Sequence, residues 1–458
     1  MKKRTVKILT GIAIVIIVLG IIYAIAVSIS SAKLRRAYAE LKKDGRPMLP
    51  GLLIPQEVSD ANNAALLYEC AIKLLKAQPA PENNLLHYLG NLSKTFIEES
   101  LDPDNLTELK KLIEQDAITL ALSIVKQGTQ RESCRFNLDY GDGLYTLLPH
   151  IPDLRNLARI FCAKIYLEAE AGNPDTAWDM VPTQLKFADA LCTESCLISQ
   201  LVRMAAIRLS CKTIIKVCEI APPNEQQYTQ IQSLLKDFND IRPLVNSIDA
   251  ERLLIGEWVF NLPKDKLYKT GLENFQKNAD GSLYRLLFYG ITFKPLFLAD
   301  HAAYLQYMHE GAKFVERPYS REEGEVLEKA VQKKRYIVTR MFTPDIFRLK
   351  EIHFEMIAEL RIAQAGLALL QYKQTNNTFP AKLDMLKLQN ISDPFSERPL
   401  IYMTEGEGFV LYSVGPDQVN NGGSGRRLRS KFSNVFSSPR QKKQEKDWDI
   451  VWIFPGRQ

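Results

Sequence analysis

The chain has 458 residues, 46% of them hydrophobic and 24% charged, with a formal net charge of +6. This composition is that of a folded globular protein and excludes wholesale disorder, and the length is enough for two or three cores. The charge is localised: residues 426–446, RRLRSKFSNVFSSPRQKKQEK, hold eight Lys or Arg against one Glu, which leaves −1 for everything else. Both flanks of the N-terminal apolar run are basic as well, so the main body is acidic, which argues against a nucleic-acid-binding surface on it.

Residues 8–32, ILTGIAIVIIVLGIIYAIAVSISSA, form an uncharged run of 25 residues behind Lys2, Lys3, Arg4 and Lys7. About 20 apolar residues at ~1.5 Å rise cross ~30 Å of hydrocarbon as a helix. The run therefore reads as a single-pass anchor within residues 1–32. The competing reading is a cleaved signal peptide, for which Ser30-Ser31-Ala32 offers small residues; signal cores are usually shorter, at about 7–15 residues. Basic residues on both sides leave orientation to the usual habit of signal anchors: a short tail inside and the large domain exported. That places the body on the exported side of the membrane.

Residues 33–55 read as a short juxtamembrane helix, with Leu34, Ala37, Tyr38 and Leu41 on one face, followed by a Pro/Gly linker from Asp44 to Pro55. Residues 56–342 read as an α-helical body. Asn62-Asn63-Ala64-Ala65-Leu66-Leu67-Tyr68 opens one helix. Leu154 to Ala171 shows helical spacing, Gly172-Asn173-Pro174-Asp175 breaks it, and Asn173 and Pro174 suit the N-cap and first position of the next helix. Leu197 to Ile220 is its apolar partner. Such hairpins look locally tetratricopeptide-like, without a strict 34-residue period. Ser320-Arg321-Glu322-Glu323 is a capping box.

Residues 343–458 read as an α+β module. Thr343 as N-cap, Pro344 and Asp345 begin a long helix whose apolar stripe runs Ile352, Met356, Leu360, Ala363, Leu367, Leu370 and which ends at Asn376-Asn377. The period then changes to two. Leu400–Met403 and Phe409–Val414 flank a Glu405–Gly408 turn, and a last strand sets Trp448, Ile450, Trp452 and Phe454 on one face. The expected class is mainly α: a transmembrane helix, a body of stacked helical hairpins and a small module with a three-stranded antiparallel sheet.

In its last hundred residues the chain resembles the globular domain of type II secretion major pseudopilins. The resemblance rests on LALLQYKQTNNTFPAKLDML, Asp393-Pro394-Phe395, Pro399–Tyr402, Tyr412-Ser413-Val414-Gly415-Pro416-Asp417 and Asp449-Ile450. It implies calcium held by Asp417 and Asp449 (or Asp447), with Asn420 and Asn421 supplying amide oxygens; calcium takes six to eight oxygen ligands. The alternative for Asp417 and Asn420-Asn421 is Asx turns. Asn63-Ala64-Ala65, CRFNLDY at 134–140, Leu148-Pro149-His150 and Leu197–Leu201 are similar to phrases in uncharacterised membrane-anchored proteins of planctomycete-type bacteria, a group that implies no activity. The pseudopilin processing pattern is absent, so assembly into a pseudopilus is the least favoured of three functions. Binding or scaffolding, with a protein partner on the helical body, leads; a membrane-tethered hydrolase is the runner-up.

No nucleotide loop, GxSxG or HExxH is present. His301 and His309 are too far apart on one helix to share a metal, at ~12 Å along the axis. His353 lies among Glu351, Glu355 and Glu359, a carboxylate stripe that reads as a solvated helix face. Arg131, Arg135 and His150 lie near Asp139 and Asp142 and read as structural ion pairs. No catalytic residues are assigned. The seven cysteines are odd in number, and Cys211/Cys218 and Cys192/Cys196 are poorly spaced for pairing, so most read as buried small apolar side chains. The 426–446 segment reads as a solvated insertion or as a contact to anionic lipid.

Overall fold

The computed structural model describes residues 2–98, 101–262, 294–331, 336–388, 391–423, 426–427 and 449–455. Helix α1 (Lys2–Lys43) runs unbroken through the apolar segment into the juxtamembrane helix. It is the one described helix long and apolar enough to cross a membrane, and its most apolar window is entirely unburied. Ile8, Ile12, Ile16, Leu19 and Ile22 all stand more than half exposed. A soluble protein rarely leaves such a stripe uncovered, so a buried core helix is excluded.

The body follows as α2 (Ala64–Lys76), α3 (Leu85–Glu98), α4 (Pro103–Ile113), α5 (Asp116–Gly128), α6 (His150–Glu170), α7 (Pro174–Ala188), α8 (Leu197–Ile220), α9 (Glu225–Lys236) and α10 (Arg242–Ala250). A wide π turn, Glu251–Gly256, leads into α11 (Glu257–Phe260). Local chemistry explains the ends. Asn63 caps α2 by accepting from the Ala65 amide, Asp102 caps α4 ahead of Pro103, and Asn224 with Gln227 forms a capping box on α9. Gly172 adopts φ 86° in the α6–α7 turn, a conformation open to glycine. The helices pack as neighbouring pairs, α2 on α5, α3 on α6, α6 on α7 and α7 on α8, as stacked hairpins require.

Beyond lie α12 (Lys294–Glu316), α13 (Arg321–Val331), α14 (Ile337–Phe342) and α15 (Ile346–Asn376). Strands β1 (Ile401–Glu405), β2 (Gly408–Ser413) and β4 (Ile450–Phe454) form the three-stranded antiparallel sheet, and β3 (Arg426–Arg427) adds two residues in parallel to β4. The hairpin turn is two residues, Gly406-Glu407, as the register Glu405 to Gly408 demands. The predicted stripe of α15 is buried throughout, and Gly366 lets β4 approach: a Cβ there would lie 1.8 Å from Trp452 Cζ3. One cluster of buried residues runs from Ala37 and Leu41 of α1 through the body to Trp452 of β4. Helix α15 is the spine of this core, packed on α8 and on the sheet.

Three local readings are corrected. Helix α15 is capped by Asp345, whose side chain accepts from the Arg348 amide; Thr343 Oγ1 bonds Thr339 O and so finishes α14 instead. The 44–55 stretch is no free linker, because its first residues are bonded to the body, as described below. Helix α7, whose pattern from Pro174 suggests an end near Cys192, stops at Ala188. Trp448, Asp447 and the 426–446 segment beyond Arg427 lie outside the described residues.

Candidate functional site

Four arrangements of polar groups concentrate the chemistry of the described residues. The first joins anchor to body. Tyr38 Oη donates to Glu257 Oε1 at 2.8 Å, and the same carboxylate meets His301 Nε2 at 3.3 Å. Phe260 stacks on the His301 ring at 4.2 Å. About two turns on, Asp44 Oδ2 binds His309 Nε2 at 2.9 Å and Lys313 Nζ at 2.7 Å, and Arg46 reaches Glu316 at 2.7 Å and Asp249 at 3.4 Å. Arg252, fully buried, donates to Pro47 O and Asp249 Oδ1. Burial, then the Glu257 charge, push the Tyr38 phenol up; the hydrogen bond from Lys313 holds the Asp44 carboxyl down. His301 and His309 thus anchor α1, each with its own carboxylate.

The second is a charge cluster between α8 and α15. Arg208 Nη2 binds Glu359 Oε1 at 2.6 Å and its Nη1 meets Glu355 Oε2 at 3.1 Å; Arg348 Nη1 bridges Glu355 at 3.0 Å and Glu351 at 3.2 Å. Burial works against the Arg208 charge, but Glu359 and Glu355 outweigh it and raise its pKa. The three glutamates are at most 5% exposed, so the solvated-face reading is overturned: α15 is enclosed on both sides. The expected pairs at 131–150 differ too. His150 meets Glu194 at 3.1 Å, Arg135 Nε donates to Pro55 O, and Arg131 to Asp60 O.

The third is the C-terminal loop. It does bring Asp417, Asn420, Asn421 and Asp449 together through hydrogen bonds within the loop. Asp449 takes the Asn421 and Gly423 amides at 3.3 and 2.8 Å, Asp417 takes Val419 N and Asn421 Nδ2, and Asn420 Oδ1 takes Gly422 N and Tyr412 Oη. Burial, then Asp417 and Asp393, raise the Asp449 carboxyl. The Asp417–Val419 and Asn420–Gly422 bonds are Asx turns, while Asp449 reaches across to the amides of the same loop.

The fourth comprises two depressions. A groove of about 110 Å³ lies between α3, α6, the end of α7 and α8, floored by Ala158, Ala188, Ala205, Ala206 and Leu209 and rimmed by Lys94, Arg155, Arg159 and Arg203. No carboxylate lines it, although Arg203 holds Asp189 at 2.6 Å alongside. A cleft of about 470 Å³ lies where α15, the end of α12, the turn before α10 and the 392–397 loop meet. Neither was legible in the sequence, since each is assembled from four separate segments. No disulfide forms among the described residues: Cys162, Cys211 and Cys218 are buried, Cys134, Cys192 and Cys196 half-buried and Cys70 exposed.

No family model matches the chain, and neither the curated proteins nor the solved structures provide a match in sequence or fold. The fold itself defines a helical-hairpin body with a small α+β end and an apolar helix fixed to it.

Proposed function

We propose that the chain is a single-pass envelope protein held in a bacterial cytoplasmic membrane by α1, with its body on the periplasmic side, and that the body binds or scaffolds a protein partner. The observation that carries the binding reading is the groove on α8. Its volume of about 110 Å³ approaches the ~150 Å³ of an apolar cavity that takes up benzene, so it suits one large apolar side chain. A cationic rim around an apolar seat complements an acidic segment presenting a Leu or Phe anchor, the arrangement of interface hot spots.

Topology is tested at Cys70, the exposed thiol. A membrane-impermeant maleimide should label it in intact spheroplasts, and labelling only after lysis would reverse the orientation. The groove is tested with a photo-crosslinking residue at Ala205 in native membranes. A crosslink that disappears in Arg155→Glu/Arg159→Glu supports the reading; one that survives charge reversal, or no crosslink at all, sinks it.

The hydrolase reading has one observation in its favour, a histidine in the 470 Å³ cleft. Burial, then the Arg203 charge, push the His353 imidazole down to about 3. A base so weak does not suit hydrolysis at neutral pH, and the binding reading remains the better one.

A further inference from the structure

Helix α1 does not leave its apolar segment alone. Tyr38 Oη lies 3.5 Å from His301 Nε2 and Asp44 lies 2.9 Å from His309, partners offset by 263 and 265 residues. Arg46 then reaches Glu316 at 2.7 Å. The contacts advance together along both chains, so α1 and α12 run parallel. Their seam follows Ser30, Ala37 and Leu41 of α1, all buried. Carried back along the seam, the same offset sets Leu296 and Phe297, in the first turn of α12, beside residues 31–34 of α1. The apolar run ends at Ala32. The first turn of α12 therefore stands at the depth where the hydrocarbon around α1 gives way to headgroups.

The surface at this depth is apolar, aromatic and cationic. Leu296 is 43% exposed and Phe297 is only partly buried. The chain from the π turn descends beside α12: Tyr304 bonds Glu251 O, His301 meets Glu257, and Phe260 lies against both His301 and Phe297. Trp258 thus falls near the level of Tyr38, ~9 Å of helix rise beyond Ala32. Tyr145 packs edge-on against Trp258 at 5.7 Å while staying 50% exposed. Lys33, Arg35 and Arg36 of α1 and Lys294 of α12 are exposed, and Glu40 answers Arg36 alone. Scattered exposed apolar residues need no explanation, but apolar surface continuous with a membrane helix does. Trp, Tyr, Lys and Arg are the residues that the headgroup layer favours.

We propose that the body makes a second, non-spanning contact with the bilayer: the first turn of α12, with Leu296 and Phe297, enters the headgroup layer of the leaflet from which α1 emerges. Lys33, Arg35 and Lys294 face the lipid phosphates, and Trp258 with Tyr145 stands at the outer edge. This rests on the reading of α1 as a membrane anchor. The occupant follows from continuity, since the exposed stripe of α1 passes into Leu296 without a polar break in depth. The headgroup layer is ~5–8 Å deep on each side of the hydrocarbon, and a helix turn level with Ala32 falls inside it.

The test uses the full chain in nanodiscs of phosphatidylcholine and phosphatidylglycerol, with bromine atoms placed either near the headgroup end of the acyl chains or near their tips. Helix α1 contains no tryptophan, so quenching of tryptophan emission reports the body. Leu296→Trp should add a component that the shallow bromines quench and the deep ones spare. Lys294→Trp, at an exposed position, reports the same turn if Leu296→Trp misfolds. A disc-bound chain whose added tryptophan is quenched by neither lipid overturns this proposal and leaves the anchor standing. Stronger quenching by the deep bromines overturns it as well, because the turn would then be buried in hydrocarbon. A chain that does not associate with the discs overturns the anchor reading and this proposal with it.

Discussion

Arg208→Met is the most demanding test of the buried charge cluster. Arg208 is held at 2.6 Å from Glu359 and 3.1 Å from Glu355, with both glutamate side chains at most 6% exposed. Glu355 keeps Arg348 at 3.0 Å after the substitution. Glu359 keeps no cation among the described residues, and one of its oxygens already lacks a partner. Removing one member of a buried pair costs about 3–5 kcal/mol, while replacing both by apolar groups is often neutral. Arg208→Met should therefore lower the urea midpoint of the micelle-held protein by the equivalent of about 3–5 kcal/mol, read by tryptophan fluorescence. Arg208→Met/Glu359→Leu should recover most of that loss. If the double variant is as unstable as the single, the cost is one of packing and the electrostatic argument is wrong.

Glu251, in the π turn beside the anchor joint, is pushed up to about 7 by burial. Between the ordinary glutamate range and pH 7 the folded state holds a proton that the unfolded state has released, so stability falls as pH rises through that window. Glu251→Gln should stabilise by roughly 2–3 kcal/mol at pH 8 and by almost nothing at pH 4; equal effects at both pH values would refute the assignment. Gly366→Ala gains about 1 kcal/mol of helix propensity but drives a methyl into Trp452. Since Trp452 is 2% exposed and hemmed in, overpacking of about 3 kcal/mol should win, and a raised thermal midpoint would show that α15 and β4 do not meet as described.

Periodicity carried most of the architecture, because it depends on near neighbours. The apolar stripe of α15 and the change to a two-residue period after Asn377 were both readable, and so was the cap at Ser320. What failed depended on distant partners. The Glu351, Glu355 and Glu359 stripe looks solvated only while Arg208 is unknown, and Arg208 lies 151 residues from Glu359. A signal did exist: α8, an otherwise apolar helix, carries Arg203, Arg208 and Lys212, all buried. Cations set in an apolar run call for buried anions elsewhere, and α15 offers the matching spacing. The cleft was invisible for a different reason. It is assembled from four separate segments of the chain, and such a depression exists only once the surrounding fold is complete.

The joint between α1 and the body gives the anchor a mechanical meaning that composition alone withheld. A Pro/Gly stretch after an apolar helix ordinarily suggests a swivel. Here Asp44, Arg46 and Pro47 are bonded to α10, the π turn and α12, and Leu41 is fully buried one turn before them. The helix that leaves the apolar segment is therefore continuous with the core, and the Pro/Gly residues turn the chain sharply without freeing it. A body mounted in this way keeps a set tilt relative to α1. The groove on α8 and the cleft beside α15 then keep fixed positions relative to the anchor. A flexible tether would have widened the reach of such a body; a clamped one favours orientation over reach, and orientation is what a scaffold needs when its partner is held at the same surface.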